Sequence, residues 1–295
     1  MRDSFSSYHP LVNLVFFAEV LGFAMFLLHP VGLVISLLCA AGYDIYLNGR
    51  KAVGFCLKGI LPMMLFTALL NPIFNHEGAT ILTYLPSGNP LTLESILYGL
   101  AAAGMLASVV LWFACFNRVI TSDKFVYLFG RIIPALSLVL SMALRFVPRF
   151  QAQLKVVLRA QKCIGRDPAQ GSLIHRIRCA GAILQVMLSW ALESGIETAD
   201  SMKSRGYGLP GRSAFSIYRF DRRDKQTLTA LLALGAVILA GSLLDGLSWR
   251  YFPTVKWSTT PLSFTVLAAY AALCALPMIL NGKEDRKWNA LRSKI

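Results

Sequence analysis

Long apolar runs, cut at intervals by Pro, Gly, Asn or paired basic residues, set the pattern of this chain. Leu11–Leu28 is the first, and His29-Pro30 breaks it before a second at Val31–Leu47. Asn48-Gly49-Arg50-Lys51 reads as a basic turn, and Ala52–Leu70 as a third run that stops at Asn71-Pro72. The stretch from Asn71 to Leu91, with Pro, Gly and Asn and the single charge Glu77, reads as an external loop. Thr92–Phe116, Thr227–Leu244 and Leu262–Leu280 complete a set of six, each near the ~20 residues that a bilayer core requires. The predicted fold is an all-α integral membrane protein with six transmembrane helices.

The middle of the chain departs from this pattern. Phe125–Val147 is apolar, but Arg131, Pro134 and Arg145 interrupt it, and a charge deep in lipid costs roughly 2.5 kcal/mol or more. Ile132–Leu144 is therefore expected to dip into the membrane or lie against it. The next stretch is amphipathic: Phe150, Leu154, Val157, Leu158 and Ile164 fall on one half of a helical wheel, and Lys155, Arg159, Lys162 and Arg166 on the other. Pro148 suits a first turn, and Gly165 followed by Asp167-Pro168 suits a stop. Gly171-Ser172 opens a longer helix, Leu173 to about Ser204, whose last turns carry Glu193, Glu197, Asp200 and Lys203 before Arg205 and the breaker Gly206. Two predicted helices thus end in a glycine beside an arginine. Such a cation is favoured by the helix dipole at a C-terminus by ~0.3–1 kcal/mol. A guanidinium held at a fixed helix end can equally bind a carboxylate on a partner through two parallel hydrogen bonds.

Composition agrees with a membrane protein: 56% of the residues are hydrophobic, 15% are charged, and the mean hydropathy is +0.57. The net charge of +14 calls for no nucleic acid, because basic residues collect where cytoplasmic segments meet anionic lipid. Between Arg118 and Lys225 stand 18 Lys or Arg against 7 Asp or Glu, which places that segment and both termini on the cytoplasmic side. The chain then divides into a four-helix membrane domain (1–118), a cytoplasmic or interfacial coupling-helix region (119–226), and two C-terminal membrane helices with a basic tail (227–295). Cys39, Cys56, Cys115, Cys163, Cys179 and Cys274 show no metal-ligand spacing, and the four histidines are scattered, so neither a metal nor another cofactor is expected. No G-x-x-x-x-G-K-[ST] loop is present, and the glycine-rich segment 206–212 follows a helix instead of a strand. The expectation is a non-catalytic subunit. Glu19 and Lys58, at comparable depths in the first and third runs, are expected to form an ion pair, with a proton or substrate site as the other reading. A self-sufficient secondary transporter is the alternative to a subunit, although such proteins show internal repeats that this layout lacks.

The succession Met142-Ala143-Leu144-Arg145-Phe146-Val147-Pro148, Ala160-Gln161-Lys162, Gly171-Ser172-Leu173-Ile174-His175-Arg176, and Ala199-Asp200-Ser201-Met202-Lys203-Ser204-Arg205-Gly206-Tyr207-Gly208 resembles the T component of energy-coupling factor transporters. The resemblance is strongest over roughly 134–212 and continues as a hydropathy pattern elsewhere. It implies an L-shaped scaffold in a bacterial or archaeal cell membrane that imports a vitamin or transition-metal ion. Its implied partners are two ATP-binding cassette subunits and a membrane-embedded substrate-binding (S) subunit that topples in the bilayer. In that family two coupling helices each end in an Ala-Arg-Gly-type motif that docks on one ATPase. The second motif stands here as Ser204-Arg205-Gly206. The first departs, reading Cys163-Ile164-Gly165 with Arg166 following, so that Arg166 from a shifted position, or Lys162 one turn earlier, is the candidate cation. Arg145, Pro148, Lys162, Glu197, Asp200, Lys203, Tyr207 and Gly208 are the supporting residues that the resemblance implies.

Overall fold

The computed structural model describes residues 3–84, 90–130, 133–207, 218–244, 247, 249–257 and 260–292. Its helices in chain order are α1 (Pro10–Phe26), α2 (Pro30–Asn48), α3 (Arg50–Phe55), α4 (Leu61–Phe74), α5 (Leu93–Val119), α6 (Ser122–Gly130), α7 (Pro134–Cys163), α8 (Leu173–Ser204), α9 (Arg222–Leu243) and α10 (Pro261–Arg292). A π-helical turn, Cys56–Ile60, joins α3 to α4 without a break. Two short antiparallel hairpins, β1 (Ile81–Tyr84) with β2 (Pro90–Thr92) and β3 (Trp249–Arg250) with β4 (Lys256–Trp257), are the strands among the described residues. The chain is an all-α membrane protein.

Among the described residues, six helices are long and apolar enough to cross a membrane: α2, the continuous Arg50–Phe74, α5, α8, α9 and α10. Their number agrees with the sequence expectation, but their membership does not. α1, expected to run Leu11–Leu28, has 17 residues and rises only ~25 Å at 1.5 Å per residue. α8, expected outside the set, qualifies because it is apolar on two sides. Ile183 and Met187 face α7, while Ile177, Leu184, Leu188, Leu192 and Ile196 are exposed. Mean hydropathy does not distinguish such a helix from one surrounded by lipid.

The chain divides into two compact units, Met1–Phe125 with Tyr218–Ile295, and Val126–Ile217. In the first, α5 packs on α4, α2 and α1, and α9 packs on α10 and α1. Trp112 of α5 is fully buried among Phe16, Phe17 and Tyr43, and its indole N–H donates to Ser36 Oγ at 3.0 Å, which satisfies the one polar atom of a large apolar ring. The segment before α1 is bound into this unit by polar contacts. Phe5 N–H donates to Asn281 Oδ1 at 3.0 Å, Tyr43 Oη to Asp3 Oδ2 at 3.0 Å, and His9 N–H to Asp224 Oδ1 at 3.2 Å. Lys124 of α6 is buried, and its ammonium donates to the carbonyls of Val119 and Ser6. Burial pushes the Lys124 amine down to about 8 against the opposing pull of Asp3.

Glu19 does not pair with Lys58. Among the described residues the ion pairs are Lys162–Asp167 and Arg223–Glu284. Glu19 turns toward α9, where a Cβ on Gly235 would lie 2.9 Å from its Oε1, and its Oε2 is buried without a hydrogen-bond partner. Equal depth along two helices specifies nothing about azimuth. α1 directs Glu19 at α9, while Lys58 lies exposed in the π-helical turn.

Within the second unit, α7 and α8 form an antiparallel hairpin. Its small core is Val157, Ile183 and Met187, flanked by Phe150, Leu158 and Trp190. The rings of Phe150 and Trp190 meet edge to face at 5.2 Å, and the Arg149 guanidinium lies 5.5 Å from the Trp190 ring centroid. The expectation of a separate helix over Ile132–Leu144, followed by a fresh start at Pro148, is corrected here. α7 runs unbroken from Pro134 through Pro148 to Cys163. Pro134, whose missing N–H costs nothing in a first turn, opens it, whereas Pro148 forgoes one bond to the carbonyl four residues back inside a 30-residue helix.

Candidate functional site

Both helices of the hairpin end in the same way. At the end of α7, Gly165 N–H donates to Lys162 O at 3.1 Å and Arg166 N–H to Gln161 O at 2.9 Å. At the end of α8, Gly206 N–H donates to Lys203 O at 3.0 Å and Tyr207 N–H to Met202 O at 3.0 Å. These are two Schellman motifs, in which a residue in left-handed conformation turns the chain and satisfies the last carbonyls. Gly165 and Gly206 both have φ +78°, a conformation that glycine adopts without steric cost. The residues before them match as well: Ile164 has φ −94°, ψ 14° and Arg205 φ −88°, ψ 10°.

The second end borders a groove of about 1020 Å³ between the first half of α7 and the last turns of α8. Arg145, Glu197, Arg205, Gly206 and Tyr207 come together on its walls, over a floor that includes Leu138, Met142, Phe146 and Met202. Sequence reading did not single out Arg149, Thr198 and Ser201 as further lining residues. Arg149 was within reach of it, since it stands one helical turn beyond Arg145. Arg145 and Arg205 are exposed and lack a carboxylate partner within 4.0 Å among the described residues. Their guanidinium forks are thus available to an acidic ligand. Ser204 Oγ turns back to Ser201 O at 2.9 Å, while Asp200 and Lys203 are exposed and outside the lining. Pro148 is likewise outside it, and Gly208 falls outside the described residues.

The first end gathers Lys162, Cys163, Gly165 and Arg166, all exposed. Lys162 is held by Asp167, Nζ to Oδ2 at 3.1 Å, while Arg166 has no carboxylate partner among the described residues. The N–H of Ala169, at 3.0 Å, and then Lys162 hold the Asp167 carboxyl below the usual carboxylate range. Arg176 Nε donates to Pro168 O at 2.9 Å and ties the loop to α8. At the start of α8, where the sequence places a helix opening, Ser172 Oγ accepts from His175 N–H as the N-cap. The six cysteines are free thiols, with Cys115, Cys179 and Cys274 buried and Cys163 exposed. Among the described residues, no cluster of His, Cys, Asp or Glu has the geometry to hold a metal ion.

Residues 2–217 match the family model for CbiQ, described as a cobalt transport protein. Curated relatives named energy-coupling factor transporter transmembrane protein EcfT align over much of the same length. The protein from Streptococcus thermophilus is 28% identical over 199 residues, covering 63% of this chain and 75% of the relative. Those from Lacticaseibacillus paracasei and Bacillus subtilis are 26% identical over 210 residues (67% and 79%) and 24% over 201 residues (64% and 76%). With both glycine-ended helices and every membrane helix before them inside the matched span, this chain belongs to the CbiQ cobalt transport protein family.

Proposed function

We propose that the chain is the transmembrane scaffold subunit of an ATP-driven importer of energy-coupling factor type, with both termini and the α7–α8 hairpin on the cytoplasmic side of a bacterial or archaeal cell membrane. The observation that carries this reading is the pair of equivalent helix ends, each with an arginine, Arg166 or Arg205, that has no carboxylate partner among the described residues. In an antiparallel hairpin these ends lie at opposite tips, ~45 Å apart by helix rise over 30 residues. That span suits two separate ATPase subunits. Each ATPase seats one tip, the groove at Arg145 and Arg205 receiving carboxylates from its surface. Closure of the ATPases on ATP draws the tips together, and a packed hairpin transmits the movement as a unit.

The S subunit, which carries a vitamin or transition-metal ion, lies in this reading along the exposed apolar stripe of α8. Ile177, Leu184, Leu188, Leu192 and Ile196 form that stripe at helical spacing, and a Cβ on Gly181 or Gly195 would meet nothing within 4 Å. Small residues beside open space permit close sliding contact between helices. The chain itself catalyses nothing, and ATP hydrolysis belongs to the partners.

Co-purification tests the reading. The tagged chain is recovered in mild detergent from its own cells, as wild type and with Arg205→Glu or Arg166→Glu. Recovery of two cassette ATPase subunits with wild type, and their loss or weakening with Arg205→Glu, is the expected result. Absence of any ATPase, with no effect of either substitution, overturns it in favour of a stand-alone transporter.

A further inference from the structure

The two tips share a backbone but not a chemistry. Aligned on their glycines, Ile164 takes the position of Arg205, and Arg166 takes that of Tyr207. We propose that Ile164 is the partner-contacting residue of the first tip, seated in an apolar socket on the ATPase whose rim carries carboxylates for Arg166. This rests on the docking reading above and adds that the two tips meet chemically unlike surfaces.

The apolar anchor follows from exposure and rigidity. Ile164 is 64% exposed, yet it sits in a turn whose conformation is held by hydrogen bonds on both sides. Its cost of ordering on binding is therefore already met by the fold. Lys162, the other candidate for contact, is engaged by Asp167 and stands one turn back from the tip. The apolar surface continues at the same end of the hairpin in Leu173 and Ile174, each 73% exposed. The rim follows from charge. Lys155, Arg159, Arg166 and Arg178 have no carboxylate within 4.0 Å among the described residues, and the nearby Asp167 is already occupied. The last turns of α8, by contrast, carry Glu193, Glu197 and Asp200 beside Lys203 and Arg205. A partner complementary to the first tip is apolar at its centre and acidic around it.

The test combines position-specific photo-crosslinking with substitution in the intact complex. Benzoylphenylalanine placed at position 164 is expected to crosslink to an ATPase subunit in native membranes, whereas crosslinks to lipid alone overturn the proposal. Ile164→Leu is expected to keep ATPase recovery within about twofold of wild type, and Ile164→Asp to lower it about tenfold, the scale of losing a buried interface anchor. Ile164→Arg is the discriminating variant. It restores the arginine-glycine order of the second tip, so a charged socket predicts recovery at or above wild type, while the apolar socket predicts a fall of about tenfold. Recovery with Ile164→Arg equal to wild type overturns the proposal. Unchanged helical circular dichroism and elution volume show that the variants fold. Failure of the wild-type chain to recover any ATPase counts against the docking reading itself. Recovery by wild type with indifference at 164 counts against Ile164 alone.

Discussion

Gly165 and Gly206 occupy the same position in two copies of one helix-ending motif, with the same φ of +78° and the same pair of closing hydrogen bonds. The equivalence makes the residues around them comparable one by one. It shows Arg205 before its glycine and Arg166 after.

Replacing either glycine tests the motif itself. A Cβ in left-handed conformation costs roughly 1–2 kcal/mol, so Gly206→Ala and Gly165→Ala should each weaken their helix end by about 1 kcal/mol. Asn, which tolerates this region better, should cost less. Amide hydrogen exchange at Arg166 and Tyr207, whose N–H groups close the two motifs, reports the loss directly.

Asp167 gives the first tip a pH dependence. Its folded-state pKa lies below the ordinary 3.8, so its contribution is complete above that value and is lost as pH falls through the folded pKa. Protection of the Ala169 amide, which donates to Asp167, measured against the intrinsic exchange rate at each pH, should therefore fall on acidification below about 3.8. Asp167→Asn should lower that protection at neutral pH and remove the pH response.

Lys124 acts in the opposite range. Its amine titrates at about 8 in the folded chain and near 10.5 unfolded, so between these values the unfolded state binds more protons. Stability should then rise as pH climbs from about 8 to 10.5. Lys124→Met should abolish that slope, read from thermal unfolding midpoints across the interval. It should also speed exchange in residues 3–9, because the Ser6 carbonyl loses its donor.

Glu19 and Gly235 are coupled by contact. Gly235→Ala places a Cβ 2.9 Å from Glu19 Oε1, the far end of a flexible side chain that can swing aside, so the change should cost about 1 kcal/mol, the low end for overpacking. Glu19→Ala removes the obstructing carboxylate. The double variant should recover ~0.5–1 kcal/mol relative to the sum of the single changes, measured as a double-mutant cycle in detergent unfolding. Additive effects would mean that the two residues do not touch.

Sequence alone determined the features that depend on neighbours along the chain. The limits of α8, Leu173–Ser204, follow from a serine N-cap and a breaking glycine, and the structure reproduces both. Apolar runs of spanning length announced a membrane protein of six long helices, since hydrocarbon thickness imposes length irrespective of packing. The glycine after Ile164 and the glycine after Arg205 marked both helix ends for the same local reason.

Tertiary structure decided whatever depends on which face of a helix meets which neighbour. Pro148 reads as a start in sequence but lies within α7, because Pro134 already supplies an opening turn and packing against α8 holds the helix through one lost hydrogen bond. Lys162 is a free cation on paper and a partner of Asp167 in space. Glu19 meets Gly235 of α9 instead of Lys58, 39 positions away in sequence, because helix azimuth is set by packing and leaves no trace in depth along the chain. The grouping of Arg145 with Arg205 around one groove arises likewise only when α7 and α8 run antiparallel, bringing residues 60 positions apart to one tip.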